Sequence, residues 1–526
     1  MPPTKPTSEL RGQALEIFYH ALRAVDPARL VRERMRLEGP SLKIDSKSYT
    51  LKEFNGVYAV GFGKASAPMA QALEEILGEW LKGGIVVVKE GHALPLKKIK
   101  ILESGHPVPD GCSLEAAVTL LDWARGRSTE VQGFNPPKPA LESASGGEGA
   151  EKVQAAGPLP IKRDLVFCLV TGGGSALLCA PPGDISLEEV KAVTSLLLAS
   201  GAEIKEVNTV RKHLSLIHGG RLARALYPAV VINLVVSDVV GDVLDMVSSG
   251  PTLPDPSTYT GALEIVSKYG LAKRLPERVY EYLKRGVSGE VEETPKGGDV
   301  CFQDVHTFLL GNNMRALEAA KEKAMELGYN THILGSSFTG EAREAARVFS
   351  SKAREYREGD NPPSGPALVA EHCEPHGVHS QSQQALNRLV QGQGYSIGAL
   401  PPMLNRSGSG PACLLAGGET TVTLKGDGRG GRNQEFALAS AMEIEGLEGV
   451  VILSGGTDGN DGPTEAAGAV VDGTTCRRAR EHGMEAEDFL MRNDSHTFFC
   501  RLGDHIITGP TRTNVMDVML CLIGGR

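Results

Sequence analysis

Five short stretches of this chain share one layout. A short apolar run of β-strand type enters a turn rich in glycine or aspartate. The turns are Gly61-Phe62-Gly63-Lys64, Thr171–Ser175, Ser237–Asp242, Gly417-Gly418-Glu419-Thr420 and Ser454–Gly462. Glycines at the carboxyl end of a strand let backbone N–H groups approach phosphate oxygens, and a helix starting just after adds positive potential. One such turn can simply close a strand–helix corner. Five in one chain are harder to explain that way.

Asp238, Asp242, Asp458 and Asp461 lie on these turns. A carboxylate there can help hold Mg²⁺ beside phosphates, or accept a proton from a substrate hydroxyl. It can also do what loop aspartates commonly do, which is close an Asx-turn or cap a helix. Two basic patches accompany them, Asn208–His213 and Asp427–Glu435. An arginine beside glycines can fork onto a phosphate or carboxylate. Arg432 opens an apolar helical pattern, where the helix dipole gives a cation no reason to be; Arg429 reads as a solvated loop residue. Gly61-Phe62-Gly63-Lys64-Ala65-Ser66 has a rival interpretation, since it approximates the dinucleotide fingerprint, with Glu90 standing 27 residues after Gly63 where an acid is expected at ~20. Serine in the last small position and Lys64 in the turn count against that dehydrogenase interpretation. His106 reads as the brace of a rigid turn. Glu371–His379 has metal-ligand residue types, but it sits in a low-complexity stretch that would not preorganise it.

The elements that must position these turns follow from periodicity. Ser8 is placed to cap a helix carrying Leu15, Phe18, Leu22 and Val25. Val57–Val60, a helix with Pro68 in its first turn, and Ile85–Val88 read as a βαβ unit. Further strands are expected at Leu165–Val170, Val231–Val236, Thr307–Leu310, His332–Leu334, Leu414–Ala416 and Val450–Leu453. A helix over 187–200 carries a Ser186/Glu189 capping box and stops at Gly201. Helices over 312–327 and 340–349 alternate with the later strands. Residues 127–162 and 351–410 have too few large apolar side chains to fold and read as disordered inserts. The alternation predicts two α/β domains, 8–285 and 300–526, each interrupted once.

Length and composition agree. At 526 residues the chain exceeds one core, and 41% hydrophobic with 23% charged residues is ordinary for a globular protein. A net charge of −9 argues against nucleic acid or an anionic membrane as partner. Nine cysteines without a CxxC pair suit a reducing compartment. With no run of ~20 apolar residues and no apolar or Arg-rich leader, a cytoplasmic location is expected.

Taken in order, Gly61–Lys64, Gly105–Asp110, Gly172–Leu177, Asn208–Lys212, Ser237–Asp242 with Ser249–Thr252, Gly417–Thr420, Gly430–Glu435, Ser454–Thr464 with Glu465–Gly468, and Asn493–Ser495 resemble the glycerate 2-kinases with a C-terminal MOFRL domain, the family that includes the animal glycerate kinases. The resemblance implies a Rossmann-like N-terminal domain, a smaller α/β MOFRL-type C-terminal domain and a cleft between them. It implies ATP-dependent phosphorylation of D-glycerate with Mg²⁺, at the 2-hydroxyl. Lys64 and Arg432 become the key catalytic cations, with Asp238 and Asp458 as proton acceptor or metal ligand. Phosphate is expected on Gly172, Gly173, Gly174 and Ser175, with Asn208, Arg211, Gly418, Glu419, Gly455 and Gly456 also binding the nucleotide, and Mg²⁺ on Asp238, Asp242 and Asp461. Expected partners are D-glycerate and ATP, with a homodimer as the candidate assembly. The competing functions are an NAD(P)-dependent hydroxypyruvate reductase and a non-catalytic nucleotide- or sugar-acid-binding sensor. One departure is Arg512, where the family usually has glycine.

Overall fold

The computed structural model describes residues 6–126, 163–358 and 410–525. It divides into two compact units: Pro27–Val239 with Val243–Leu310, and Met1–Asp26 with Val240–Asp242 and Gly311–Arg526. The first helix, assigned by sequence to the N-terminal domain, therefore groups with the C-terminal half, and the main division falls at 310/311.

The first unit opens with a small antiparallel meander, β1 (Met35–Glu38), β2 (Ser41–Ile44) and β3 (Lys47–Thr50). Its main sheet is β4 (Val57–Phe62), β5 (Leu81–Lys89), β6 (Ile99–Ser104), β7 (Leu165–Thr171), β8 (Val230–Val236) and β9 (Val305–Gly311), in the order β6-β5-β4-β7-β8-β9. All pairings from β6 to β8 are parallel. The chain starts in the middle, steps outward to β6, then crosses to the other side. That is the Rossmann order, and its switch point lies between β4 and β7. β4, β7 and β8 are buried at every position, which is why they read as continuous apolar runs rather than as alternation. The Ser186/Glu189 box caps helix Leu187–Ala199 as expected. With Ile204–His213, Tyr259–Lys268 and Glu277–Val287 it forms a helical cluster around Val193, Leu197, Val210, Tyr259 and Leu283. The sequence had suggested only the first of these four helices.

The second unit holds β10 (Asn330–Phe338), β11 (Ala412–Gly418), β12 (Val450–Gly456), β13 (Gly468–Asp472), β14 (His505–Ile506) and β15 (Asp517–Ile523), in the order β10-β11-β15-β12-β13-β14. Only β10 and β11 pair in parallel; β15 runs antiparallel to both β11 and β12. The fold is thus the expected two-unit α/β class, with a parallel and a mixed sheet. Helix Thr7–Ala24 buries Leu10, Ala14, Ile17 and Phe18 against this unit, packing on β12 and on helix Asn313–Glu326. Its N-cap is Pro6, with no side-chain cap, so Ser8 lies inside the helix. Helix Ala342–Glu358 extends beyond the expected end at 349, and Ala353 is buried, so residues 351–358 are not part of an insert. The segments 127–162 and 359–409, with the Glu371–His379 tract, lie outside the described residues.

Candidate functional site

In the parallel-sheet unit, the loops after β4 and β7 are stitched together at the switch point. Lys64 N donates to Gly172 O at 2.9 Å, and Ala65 N to Thr171 Oγ1 at 3.1 Å. Gly63 must be glycine: its φ is +124°, and a Cβ would lie 2.1 Å from Thr171 Oγ1. Gly63 N bonds Val87 O and Ser66 N bonds Gly63 O. Every N–H from Gly63 to Ser66 is therefore committed to the protein. A dinucleotide fingerprint needs such groups turned toward a pyrophosphate, so this loop cannot serve as one while it keeps these bonds.

The Gly172–Ser175 turn is braced from three sides. A Cβ on Gly172 would meet Asp238 Oδ2 at 1.6 Å, so the Asp238 carboxylate lies directly against this backbone. Gly173, at φ +89°, opens the one-turn helix Gly174–Leu177, and its missing side chain leaves room beside His106 Nε2 and Lys64 Cγ. Gly174 N is taken by Ser248 Oγ at 3.1 Å, which in turn donates to Thr171 O at 2.6 Å. Ser175 Oγ meets Ser249 Oγ at 2.7 Å, and Ser249 Oγ reaches Asn208 Oδ1 at 3.4 Å. Arg211 donates to Ser175 O at 2.8 Å. Asn208 and Arg211 are thus brought to this loop. Ser249 opens a stretch the sequence motifs had included, whereas Ser248 was not foreseen; both hold positive φ, near 50° and 57°, which a sequence of two serines does not signal.

In the mixed-sheet unit, Asp517 organises the second cluster. It pairs in register with Gly418 on one side and Gly456 on the other, so β15 carries it to the ends of both glycine loops. Arg432 forks onto it, Nε to Oδ2 at 2.6 Å and an Nη nitrogen to Oδ1 at 3.0 Å, and its other Nη reaches Glu419 Oε1 at 3.0 Å. The Asp517 side chain has 0% exposure. Burial alone would lower the Arg432 pKa, but the facing Asp517 outweighs it and holds the guanidinium above its ordinary value. Asn433 Nδ2 adds a bond to Asp517 Oδ1 at 2.9 Å. The cation at the helix start thus answers to a buried acid, not to the dipole. Asp517 could have been noticed as a lone acid leading the apolar run Val518–Ile523.

Three of the acids expected at the site, Asp461, Asp242 and Asp458, make hydrogen bonds to nearby protein groups. Asp461 accepts Asn433 N at 3.0 Å through Oδ1, and Gln434 N at 2.8 Å and Gln434 Nε2 at 3.0 Å through Oδ2. It caps helix Arg432–Glu443. Burial pushes its pKa up to about 6 against the pull of those N–H groups. Both of its carboxylate oxygens are thus engaged by N–H groups of the helix start. Asp242 accepts the Asn312 amide at 2.6 Å and groups with the second unit, whereas Asp238 belongs to the first. Asp458 accepts Asn460 N at 3.2 Å in an Asx-turn. Gly455 is glycine because Phe18 of the first helix packs on it, 2.6 Å from where a Cβ would be; Gly418, at φ +143°, avoids Phe338 O in the same way. Gly456 faces Asn460 O and Asp458 Oδ1. Among the described residues no group of three or more His, Cys, Asp or Glu side chains is arranged to hold a metal. Arg512 takes φ 59°, the conformation glycine would supply, and Thr511 Oγ1 bonds Thr457 O at 2.6 Å, so the turn survives the departure.

A Rossmann-ordered sheet with a glycine turn at its switch point, followed by a mixed-sheet unit carrying an Arg–Asp–Glu cluster, defines a two-unit α/β protein of the class that places its loops at the carboxyl ends of parallel strands. Comparison with known proteins narrows this. Residues 13–132 and 128–284 match a domain of unknown function, DUF4147, and residues 412–517 match the MOFRL family. The D-glycerate 2-kinase of Thermotoga maritima is 36% identical over 515 residues, covering 98% of each chain. A crystal structure of glycerate kinase from that organism superposes with a TM-score of 0.71 at 35% identity, covering 98% of this chain and 100% of that one. The glycerate kinase of Homo sapiens is 36% identical, covering 98% of this chain and 94% of its own. A putative hydroxypyruvate reductase of Agrobacterium vitis is 38% identical over 88% of this chain and 86% of its own. The chain belongs to the glycerate kinase family built from DUF4147 and MOFRL domains.

Proposed function

We infer that this chain is a glycerate kinase that transfers the γ-phosphoryl group of ATP to the 2-hydroxyl of D-glycerate. The full-length similarity to the Thermotoga D-glycerate 2-kinase carries this conclusion. The committed N–H groups from Gly63 to Ser66 favour it over a reductase.

In the reaction, the substrate hydroxyl oxygen bonds to the γ-phosphorus, the bond from that phosphorus to the bridging oxygen breaks, and ADP leaves with the electron pair. Such a transition state spreads charge over the phosphoryl oxygens, so catalysis is positioning and electrostatics. Lys64 neutralises the transferring phosphoryl group, and Arg432, held rigid by Asp517, grips the glycerate carboxylate. Asp458 accepts the hydroxyl proton. Asp238, against the Gly172–Ser175 turn, would hold Mg²⁺ together with phosphate oxygens. A bound Mg²⁺ supplies charge neutralisation on the phosphates.

The test is ADP release from ATP on addition of D-glycerate, with phosphorus NMR of the product. A 2-phosphoglycerate signal is expected. NADH oxidation with hydroxypyruvate at a rate matching or exceeding phosphoryl transfer would overturn it.

A further inference from the structure

A cavity of about 270 Å³ lies within the first unit, where the loop after β6, the Ser175 turn and helices Leu187–Ala199 and Ile204–His213 meet. Most of its wall is apolar. Val108 and Leu198 line it while remaining 61% and 55% exposed, an arrangement that leaves large apolar side chains without protein cover. Two polar features stand out. His218 lines the cavity, is only 4% exposed, and its Nε2 has no hydrogen-bond partner. The backbone holds this residue in place, with His218 N and Ile217 N both donating to Ser215 Oγ at 3.2 Å. Arg211 lines the cavity too, bonded to Ser175 O and paired with no carboxylate among the described residues. Ser175 belongs both to the wall and to the glycine turn.

We propose that this cavity receives the purine base of the nucleotide, with His218 Nε2 bonding the edge of the ring. The proposal rests on the kinase activity inferred above and assigns the donor's base within it. Glycerate carries a polar group on every carbon and would leave the apolar wall unmatched. A purine has two apolar faces and a rim of donors and acceptors, which fits a mostly apolar slot that offers the unpartnered His218 Nε2 among polar lining from Lys191, Thr194, Ser195 and Ser215. Burial, together with Arg211, Lys212 and Arg221, pulls the His218 pKa down to about 3. The ring is neutral at physiological pH and suits an uncharged partner. Arg211 supplies the cation for the phosphate end of the same ligand, which continues onto the Ser175 turn.

Two variants test this. Ser195→Trp, at an exposed position of the wall, fills the cavity without disturbing the core. His218→Leu keeps the volume and removes the polar atom. AMP binding by calorimetry should weaken by roughly tenfold or more in Ser195→Trp. KM for ATP should rise in both variants, while KM for D-glycerate and inhibition by inorganic tripolyphosphate stay within about twofold. His218→Leu should also narrow the discrimination between ATP and GTP. A rise in KM for glycerate with unchanged AMP affinity gives the cavity to the acceptor and overturns the proposal; so does no change in either. Absence of ADP formation by the wild type would sink the kinase inference alone, because AMP binding still reads the cavity.

Discussion

Lys64 and Arg432 look alike in the sequence, each a cation beside glycines, and both invite the expectation that alanine would abolish turnover and spare the fold. The structure separates them. Lys64 lies on a turn whose backbone bonds do not depend on its side chain. Lys64→Ala should therefore melt within roughly 1 kcal/mol of wild type while losing ~10²–10³ in kcat, the usual cost of one preorganised donor. Arg432 instead neutralises Asp517, which has 0% exposure. Arg432→Ala strands that carboxylate with little beyond Asn433 for compensation, so it should lose roughly 3 kcal/mol of stability as well as activity. Arg432→Lys should not restore kcat, since an ammonium cannot make the two parallel bonds to Asp517. Thermal midpoints measured beside kcat/KM decide this. An Arg432→Ala variant melting with wild type would show that the Asp517 pair contributes no stability. The partner was hidden because an acid and a cation 85 positions apart meet only through strand pairing, which residue types do not encode.

Elements tell a similar story. β4, β7 and β8 were legible because strands buried on both faces leave continuous apolar runs. The capping box of helix Leu187–Ala199 was legible because its signal is local. β15 was not, since a short apolar run near the chain end does not reveal that it inserts between β11 and β12. The start of helix Arg432–Glu443 shows what such non-local placement does. Asp461 arrives 28 residues later in sequence to accept its first N–H groups. Its carboxyl, ordinarily at 3.8, sits at about 6 because burial disfavours the charge. The folded chain therefore holds this proton more tightly than the unfolded chain. The stability it contributes is fully present below pH 3.8 and falls as pH rises to about 6. Asp461→Asn cannot titrate there. The stability of wild type relative to Asp461→Asn should fall by something on the order of 3 kcal/mol between pH 4 and 7. Urea midpoints of both proteins across that range provide the check, and parallel pH profiles would rule the account out.

At the scale of the whole molecule, the two-unit division was foreseen but the ownership of the first helix was not. Amphipathic periodicity says that Thr7–Ala24 needs a partner, and cannot say which half of the chain supplies it. The partner is the mixed-sheet unit, several hundred residues downstream. Leu10, Ile17 and Phe18 are fully buried there, with Phe18 seated on Gly455. Arg11 bonds Asp472 at 2.5 Å and also Asp504. Burying each large side chain stabilises by ~1.5–3 kcal/mol, so three of them contribute an amount comparable to the ~5–15 kcal/mol net stability of a domain. The C-terminal half should therefore not fold by itself. Residues 311–526 expressed alone should lack a cooperative thermal transition. The same segment with residues 6–26 attached through a flexible linker should regain one, and Phe18→Ala in that fusion should weaken it by roughly 3 kcal/mol, the usual cost of emptying a buried aromatic site. Circular dichroism melts of the three proteins test the point. A sharp transition in 311–526 without the helix would show that the helix covers the sheet without being needed to fold it.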